Sequence, residues 1–374
     1  TPLVIGLMVA SFSVAQMVCA PLLGRLSDRI GRKPLLIISL FGTAAGSLLT
    51  GVAGSIWILF LGRIVDGASG ASVSVAQAAV GDIAAPDQRP RLMGLLGAAF
   101  GVGFVAGPAI GALGALGGSH VPFFIAAAIS AVNAVVAMRR LPETSPRRTR
   151  AQVPGEDAER IADAPGLSGA GIVPPVHVAP PGGEADRERI RFGAPEVRDI
   201  VRLIGVAFLS IAAFSGFEAT FSLLGQARFG FELAATGAVF TLIGLMLVFV
   251  QVGLIHAVSQ KLGESGTLRF GLACNCLGLV TLAFEWAWVG LVLGLVLLCL
   301  GQGLITPTLA SAVAGRAGRR RGEWLGWQQS AGGLARVVGP ITAGALFQFA
   351  GAGFPYVIGA ALAAFALTLV PTLA

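Results

Sequence analysis

Four ionisable side chains stand inside otherwise apolar sequence: Arg63, Asp66, Glu218 and Arg336. Charge in such surroundings is costly, and it is kept where it faces a cavity, a partner or a transported ion. Arg63 and Asp66 are one helical turn apart on one face, so their side chains can meet. Asp66 lies about ten residues, or ~15 Å, into its apolar stretch, near the middle of a bilayer. An opposite charge favours the ionised carboxylate and loss of water favours the protonated one, and that competition is what a proton switch requires. Two readings of the pair stay open: a proton-coupling site, and a permanent ion pair that steadies the helix. Glu218 falls ~26 Å into its stretch, close to the far surface, and is either an interfacial acid or a proton carrier. Arg336, ~20 Å into its own, can attract an anionic or polar substrate group or satisfy carbonyls beside Pro340. Gln16, Gln77, Gln251, Asn275, Gln302, Gln328 and Gln329 are amides in apolar sequence, candidates for lining a cavity or for bridging helices. Phe12, Phe214, Phe217 and Phe221 near them suit a hydrophobic ligand, or else core and lipid contact.

Other chemistry is absent. Cys19, Cys274, Cys276 and Cys299 all lie in apolar sequence without metal-ligand spacing or a disulfide framework, and read as small core residues. No nucleophile–base set, phosphate loop or metal cluster is present, which argues against an enzyme and calls for no cofactor or metal.

The elements that must position these residues are membrane helices. Hydrophobic residues make up 55% of the chain and charged residues 12%, with a mean hydropathy of +0.81, whereas soluble domains are about 25% charged. Apolar stretches long enough to cross a ~30 Å hydrocarbon core recur along the chain, and backbone in lipid must satisfy its own hydrogen bonds, so they are helices. The expected spans are 3–23, 34–53, 56–79, 91–113, 121–139, 201–225, 235–256, 267–285, 288–312, 323–347 and 354–373. Of the 26 Lys and Arg residues, Arg63 and Arg336 lie inside spans and Arg228 alone falls on one set of alternating loops; the rest sit on the other set or on adjoining helix ends. By the positive-inside bias, that basic side is cytoplasmic, residue 1 is outside and residue 374 inside. The net charge of +7 is thereby explained without a nucleic-acid partner. Residues 140–199, rich in proline and charge, read as a largely disordered cytoplasmic linker.

A glycine register divides what remains into two halves. Gly94, Gly101 and Gly107-Pro108 recur 232 positions later as Gly326, Gly333 and Gly339-Pro340, and the same shift pairs Gly31 with Gly263. The expected division is an N-terminal bundle over 1–139 with five spans, the linker, and a six-helix bundle over 200–374. The first half lacks a partner for span 201–225, so the chain is expected to be missing its first helix.

The loop Gly24-Arg25-Leu26-Ser27-Asp28-Arg29-Ile30-Gly31-Arg32-Lys33 resembles the signature loop of the major facilitator superfamily. Gly94 with Gly103, Gly107, Pro108 and Gly111 is similar to the fifth-helix signature of its antiporter branches. Leu61-Gly62-Arg63-Ile64-Val65-Asp66-Gly67-Ala68-Ser69-Gly70, together with the Gly326, Gln328, Gln329, Arg336, Gly339 and Pro340 stretch, resembles tetracycline/proton antiporters. The resemblance implies an all-helical fold of two six-helix bundles, here with eleven spans. It also implies a latch of the outward-open state built from Gly24, Asp28, Gly31, Arg32 and Asp82. In this latch Asp28 would engage a helix terminus of the other half, and Arg32 would pair with Asp82. The equivalent second-half loop, His256 to Glu264, has no such aspartate, so the latch is expected on one side only. The implied function is secondary active export of a small amphipathic compound or drug in exchange for protons, with the proton gradient as energy source. The protein is then a monomeric, multi-pass protein of a bacterial inner membrane, whose partners are substrate, protons and lipid. Alternatives are a metabolite or sugar exporter of the same fold, and a non-transporting receptor or scaffold.

Overall fold

The computed structural model describes residues 2–118, 120–144, 195–284 and 287–371, and among them every regular element is helical. The first half comprises α1 (Pro2–Ile30), α2 (Arg32–Gly51), α3 (Ile56–Gly70), α4 (Val73–Ile83), α5 (Arg89–Ala115) and α6 (Val121–Arg140). The second comprises α7 (Pro195–Phe229), α8 (Leu233–Phe249), α9 (Ile255–Phe284), α10 (Trp288–Arg316), α11 (Arg321–Ala350) and α12 (Phe354–Leu369). A π turn, Val250–Leu254, joins α8 to α9, and a 3-10 turn, Gly318–Arg320, precedes α11. Among the described residues seven helical stretches of at least 18 residues are long and apolar enough to cross a membrane. One of these, Ile56–Ile83, contains both α3 and α4, so the single expected span at 56–79 is interrupted at Ala71 and Ser72. The expected linker lies mostly outside the described residues; α6 ends at Arg140 and α7 begins at Pro195, earlier than its apolar sequence.

The register of the two halves survives in the backbone. Gly31 and Gly263, paired by the 232-residue shift, both adopt positive φ, 106° and 67°. Only glycine takes that conformation without strain. At each the chain turns sharply and restarts a helix on a charged residue, Arg32 or Glu264.

Within the first half α2 packs on α3 and α6, and α1 on α3; in the second α7 packs on α11 and α12, and α9 on α10 and α12. Two seams join the halves, α1 and α4 against α11, and α5 against α10 and α8 with its π turn. Small residues make both seams. A Cβ on Gly24 would overlap the Gly322 carbonyl, and one on Gly326 the Ala20 carbonyl. In the second seam a Cβ on Gly94 would lie 2.6 Å from the Gln251 carbonyl oxygen. One apolar cluster crosses between the halves, uniting Ala78 and Met93 with Leu309, Val313, Trp324 and Leu325. Another fills the second half around Phe217, Phe221, Leu279 and Tyr356. Large apolar side chains such as Ile38, Trp57 and Val289 face outward, as lipid contact allows.

Substituting the seam glycine tests this packing. Gly326→Ala should destabilise the protein by about 1–3 kcal/mol through overpacking, seen as a lower thermal midpoint of the purified protein. Gly344→Ala, whose Cβ meets no described atom within 4 Å, should leave it unchanged or slightly raised, since alanine is the better helix former.

Candidate functional site

The arginine-rich end of the α1/α11 seam is closed by buried charge. Asp28 accepts the backbone N–H groups of Gly322 at 3.1 Å and Glu323 at 3.0 Å, in the first turn of α11. That turn carries unpaired amide donors and a positive partial charge, both of which suit a carboxylate. Arg32 adds an ion pair to Asp28 at 2.7 Å and turns its Nε to Asp82 at 3.0 Å. Burial pushes the Asp28 carboxyl above its ordinary value, and Arg32 and the two amides offset that rise in part. Gly24, without a side chain, lets the α1 backbone come this close to Gly322.

Several partners in this network are not apparent from the loop motif. Asp82, with its side chain 1% exposed, is shared: Arg321 of the second half reaches it at 2.9 Å while also donating to the Ala314 carbonyl. Glu323 pairs with Arg25 across the seam at 2.9 Å and accepts Arg320 Nε at 2.6 Å. Glu143, just past α6, accepts the N–H of Arg32 at 2.9 Å and so caps α2. The register held a signal for Arg321, because it is the shifted counterpart of Arg89, the first residue of α5.

Among the described residues the α5/α8 seam has no equivalent network of buried charge. The counterpart of Asp28 is Gln260, and that of Gly322 is Pro90, which has no N–H to donate. The counterpart of Arg32 is Glu264, with inverted charge; it accepts Ser311 Oγ at 2.6 Å and pairs with Arg316 at 3.5 Å, both within the second half. Gly94 and Gly97 sit against Gln251, and Gly101 against Val248. Farther along α5, Gly103, Gly107 and Gly111 meet no described atom within 4 Å, and the Pro108 side chain lies outside the described residues. In the second half Gly339 packs against Ala212 and Ser215 of α7, beside Pro340 inside α11.

The ionisable residues of the apolar sequence are held more loosely. Arg63 NH1 and Asp66 Oδ2 are 3.5 Å apart, with side chains 27% and 20% exposed. The Arg63 guanidinium lies 4.5 Å over the Phe12 ring of α1. One turn along, Gln16 donates to the Gly70 carbonyl at 3.2 Å, so α1 and α3 meet along one face. On α11 a stripe of Gly322, Gly326, Ser330 and Gly333 faces α1, with Ser330 Oγ donating to the Met17 carbonyl. Arg336 is the next residue on that stripe and is exposed, as is Glu218 on α7, its electrostatic neighbour. Both stand just beyond the Ser215 Oγ bond to the Ala335 carbonyl that ties α7 to α11.

The amides divide by location. Asn275 and Gln302 are buried inside the second half, joined to each other at 3.2 Å, and bridge α9 to α10. Gln251 is buried under Gly94 and Gly97. Gln77 and Gln328 each keep a buried Oε1 without a partner, and Gln329 is half-buried. Phe214, Phe217 and Phe221 are core, stacked in a chain of tilted rings with Tyr356, Phe231 and Phe240 close by, rather than walls for a ligand.

The buried and exposed pairs should respond differently to mutation. Asp82→Asn, which takes from buried Arg32 one of its two carboxylates and from Arg321 its partner in the first half, should cost about 1.5–3 kcal/mol. Arg25→Gln, at a side chain 55% exposed, should cost at most about 1 kcal/mol. Thermal unfolding of both variants beside the parent protein measures the contrast.

Comparison with known proteins agrees with this geometry. Residues 1–287 match the family model of the Major Facilitator Superfamily. The chain is 28% identical to the class E tetracycline resistance protein of Escherichia coli, over 97% of this chain and 84% of that protein. It is 31% identical to the human major facilitator superfamily domain-containing protein 10, over 93% of this chain and 74% of that one. The crystal structure of the human organic anion transporter MFSD10 (TETRAN) superposes with a TM-score of 0.79 at 29% identity, covering 98% of this chain and 83% of that one. An all-helical membrane protein with two glycine-registered halves and a buried ionic seam between them, this chain belongs to the Major Facilitator Superfamily of transporters.

Proposed function

We propose that the protein exports a small amphipathic organic compound in exchange for protons. Its two halves would rock about a site near the middle of the bilayer. In this reading eleven spans cross the membrane, the arginine-rich end is cytoplasmic, and the α1/α11 contacts latch that end in the outward-facing form. The proton gradient supplies the energy, and no cofactor or metal takes part.

The observation that carries the coupling role is the contrast between two kinds of ion pair. Arg32 and Asp82 are buried at 3.0 Å, 2% and 1% exposed, as suits a fixed structural pair. Arg63 and Asp66 are longer and reached by water, so Asp66 can exchange a proton. When it is protonated, Arg63 still has the Phe12 ring as a partner, a cation–π contact of about 0.5–2 kcal/mol. A pair built only to steady the helix has no need of that second partner. The tetracycline resistance relatives support efflux of a drug-like substrate. A second reading, export of an organic anion, is favoured by Arg336, exposed where the α11 stripe continues past its contact with α1, and by the organic anion transporter relative.

The substrate class is tested by a panel of efflux substrates and organic anions in a drug-sensitive host, with an uncoupler control. With a substrate in hand, Asp66→Asn in proteoliposomes should abolish exchange driven by a pH gradient while sparing substrate binding. Retention of proton-driven exchange by Asp66→Asn would sink the coupling role. Arg336→Ala should weaken transport of anionic substrates at least about tenfold, as loss of one charge-assisted contact predicts.

A further inference from the structure

At the arginine-rich end of the α1/α11 seam lies a cavity of about 330 Å³, bounded by Arg25, Asp28, Arg29, Arg319, Arg320 and Glu323. Its two acids are buried and already engaged, Asp28 by Arg32 and the α11 amides, Glu323 by Arg25 and Arg320. Its four arginines outnumber them, and Arg25, Arg29 and Arg319 are exposed. Among the described residues Arg29 has no hydrogen bond or ion pair, so its guanidinium fork is available. A volume of this size is at the lower end of small-ligand sites, and the planar fork of arginine matches the oxygens of a phosphate.

The walls come from both halves. Arg25, Asp28 and Arg29 belong to α1, while Arg319, Arg320 and Glu323 belong to the turn before α11 and to its first residues. The cavity therefore exists only while this seam is closed. It also lies where the apolar sequence of α1 ends, at Leu23 and Gly24, and that of α11 begins, at Trp324, which is headgroup depth. We propose that this cavity binds a phosphate-bearing anion, bridging Arg29 of the first half to the Arg319 and Arg320 turn of the second. Bound only to the closed form, the anion stabilises it by mass action and biases the halves against separating at this end. Two sources present the same chemistry, the headgroup of an anionic phospholipid and a soluble phosphate.

The test uses the full chain in nanodiscs of phosphatidylcholine, alone or mixed with phosphatidylglycerol, as parent and as Arg29→Gln/Arg319→Gln. Phosphatidylglycerol should raise the thermal midpoint of the parent and not that of the double variant. The double variant should also retain at least tenfold less phosphatidylglycerol in native mass spectrometry. A second arm titrates inorganic phosphate into the phosphatidylcholine discs. An arginine-dependent rise there assigns the site to soluble phosphate, and a rise with phosphatidylglycerol alone assigns it to lipid. Equal shifts in parent and variant, or no shift in either arm, would overturn the proposal. Arg29→Gln alone, at an exposed residue without a partner among the described residues, gives the same discrimination should the double variant not fold.

Discussion

A carboxylate removed from water must be given donors and positive charge, and here that requirement spans two halves of one chain. Asp28 and Asp82 each draw part of what they need from the first half, through Arg32, and part from the second. Separation of the halves would take Arg321 from Asp82 and two amides from Asp28, but it would leave Arg32 with both. Neither acid would then be stranded without counter-charge, and water would replace the lost donors. The penalty of opening is therefore smaller than that of breaking an isolated buried pair.

Charge can act at this seam only because shape allows the backbones to touch. Gly24 against Gly322 and Gly326 against Ala20 bring α1 and α11 within carbonyl contact, which puts the α11 amides in reach of Asp28. The α5/α8 seam keeps the close packing, through Gly94, Gly97 and Gly101, but not the charge. Pro90 removes the donor and Gln260 the carboxylate charge, so that seam rests on the fit of small residues.

Much of this was legible before any coordinates, because the informative residues are local. The glycine register predicted two halves, and Gly31 and Gly263 share a positive φ that only a common turn explains. The signature loop located Asp28 and Arg32 on one helix end, where geometry leaves few partners. What could not be read were contacts between single residues far apart in sequence. Arg321 was one of several clustered arginines, and Glu143 one acid past a helix end; nothing in their neighbours says that they meet Asp82 or the Arg32 amide. Phe214, Phe217 and Phe221 illustrate the converse, since apolar periodicity marks a packed face without saying whether ligand or protein packs on it. The same limit applies to Asn275 and Gln302, whose polarity left cavity lining and helix bridging both open and which hydrogen-bond to each other between α9 and α10.

Positions paired by the 232-residue register show how the two seams differ. Arg89 and Arg321 open α5 and α11 at equivalent places, and each reaches across its seam toward the end of a helix in the other half. Arg321 finds Asp82 there. Arg89 finds the end of α10, where the equivalent of Asp82 is Ala314 and a Cβ on the next residue, Gly315, would lie 2.9 Å from its NH1. Its Nε is buried without a partner, and its acidic neighbours, Glu264 and Asp82, act on it only at a distance. Glu264 meanwhile stands where the first half has Arg32 and spends its charge inside the second half, on Arg316 and Ser311. Positions paired by one register thus make two different joints. The α1/α11 joint is held by specific charges; the α5/α8 joint is a surface of small residues, where a bulky side chain would disturb the packing.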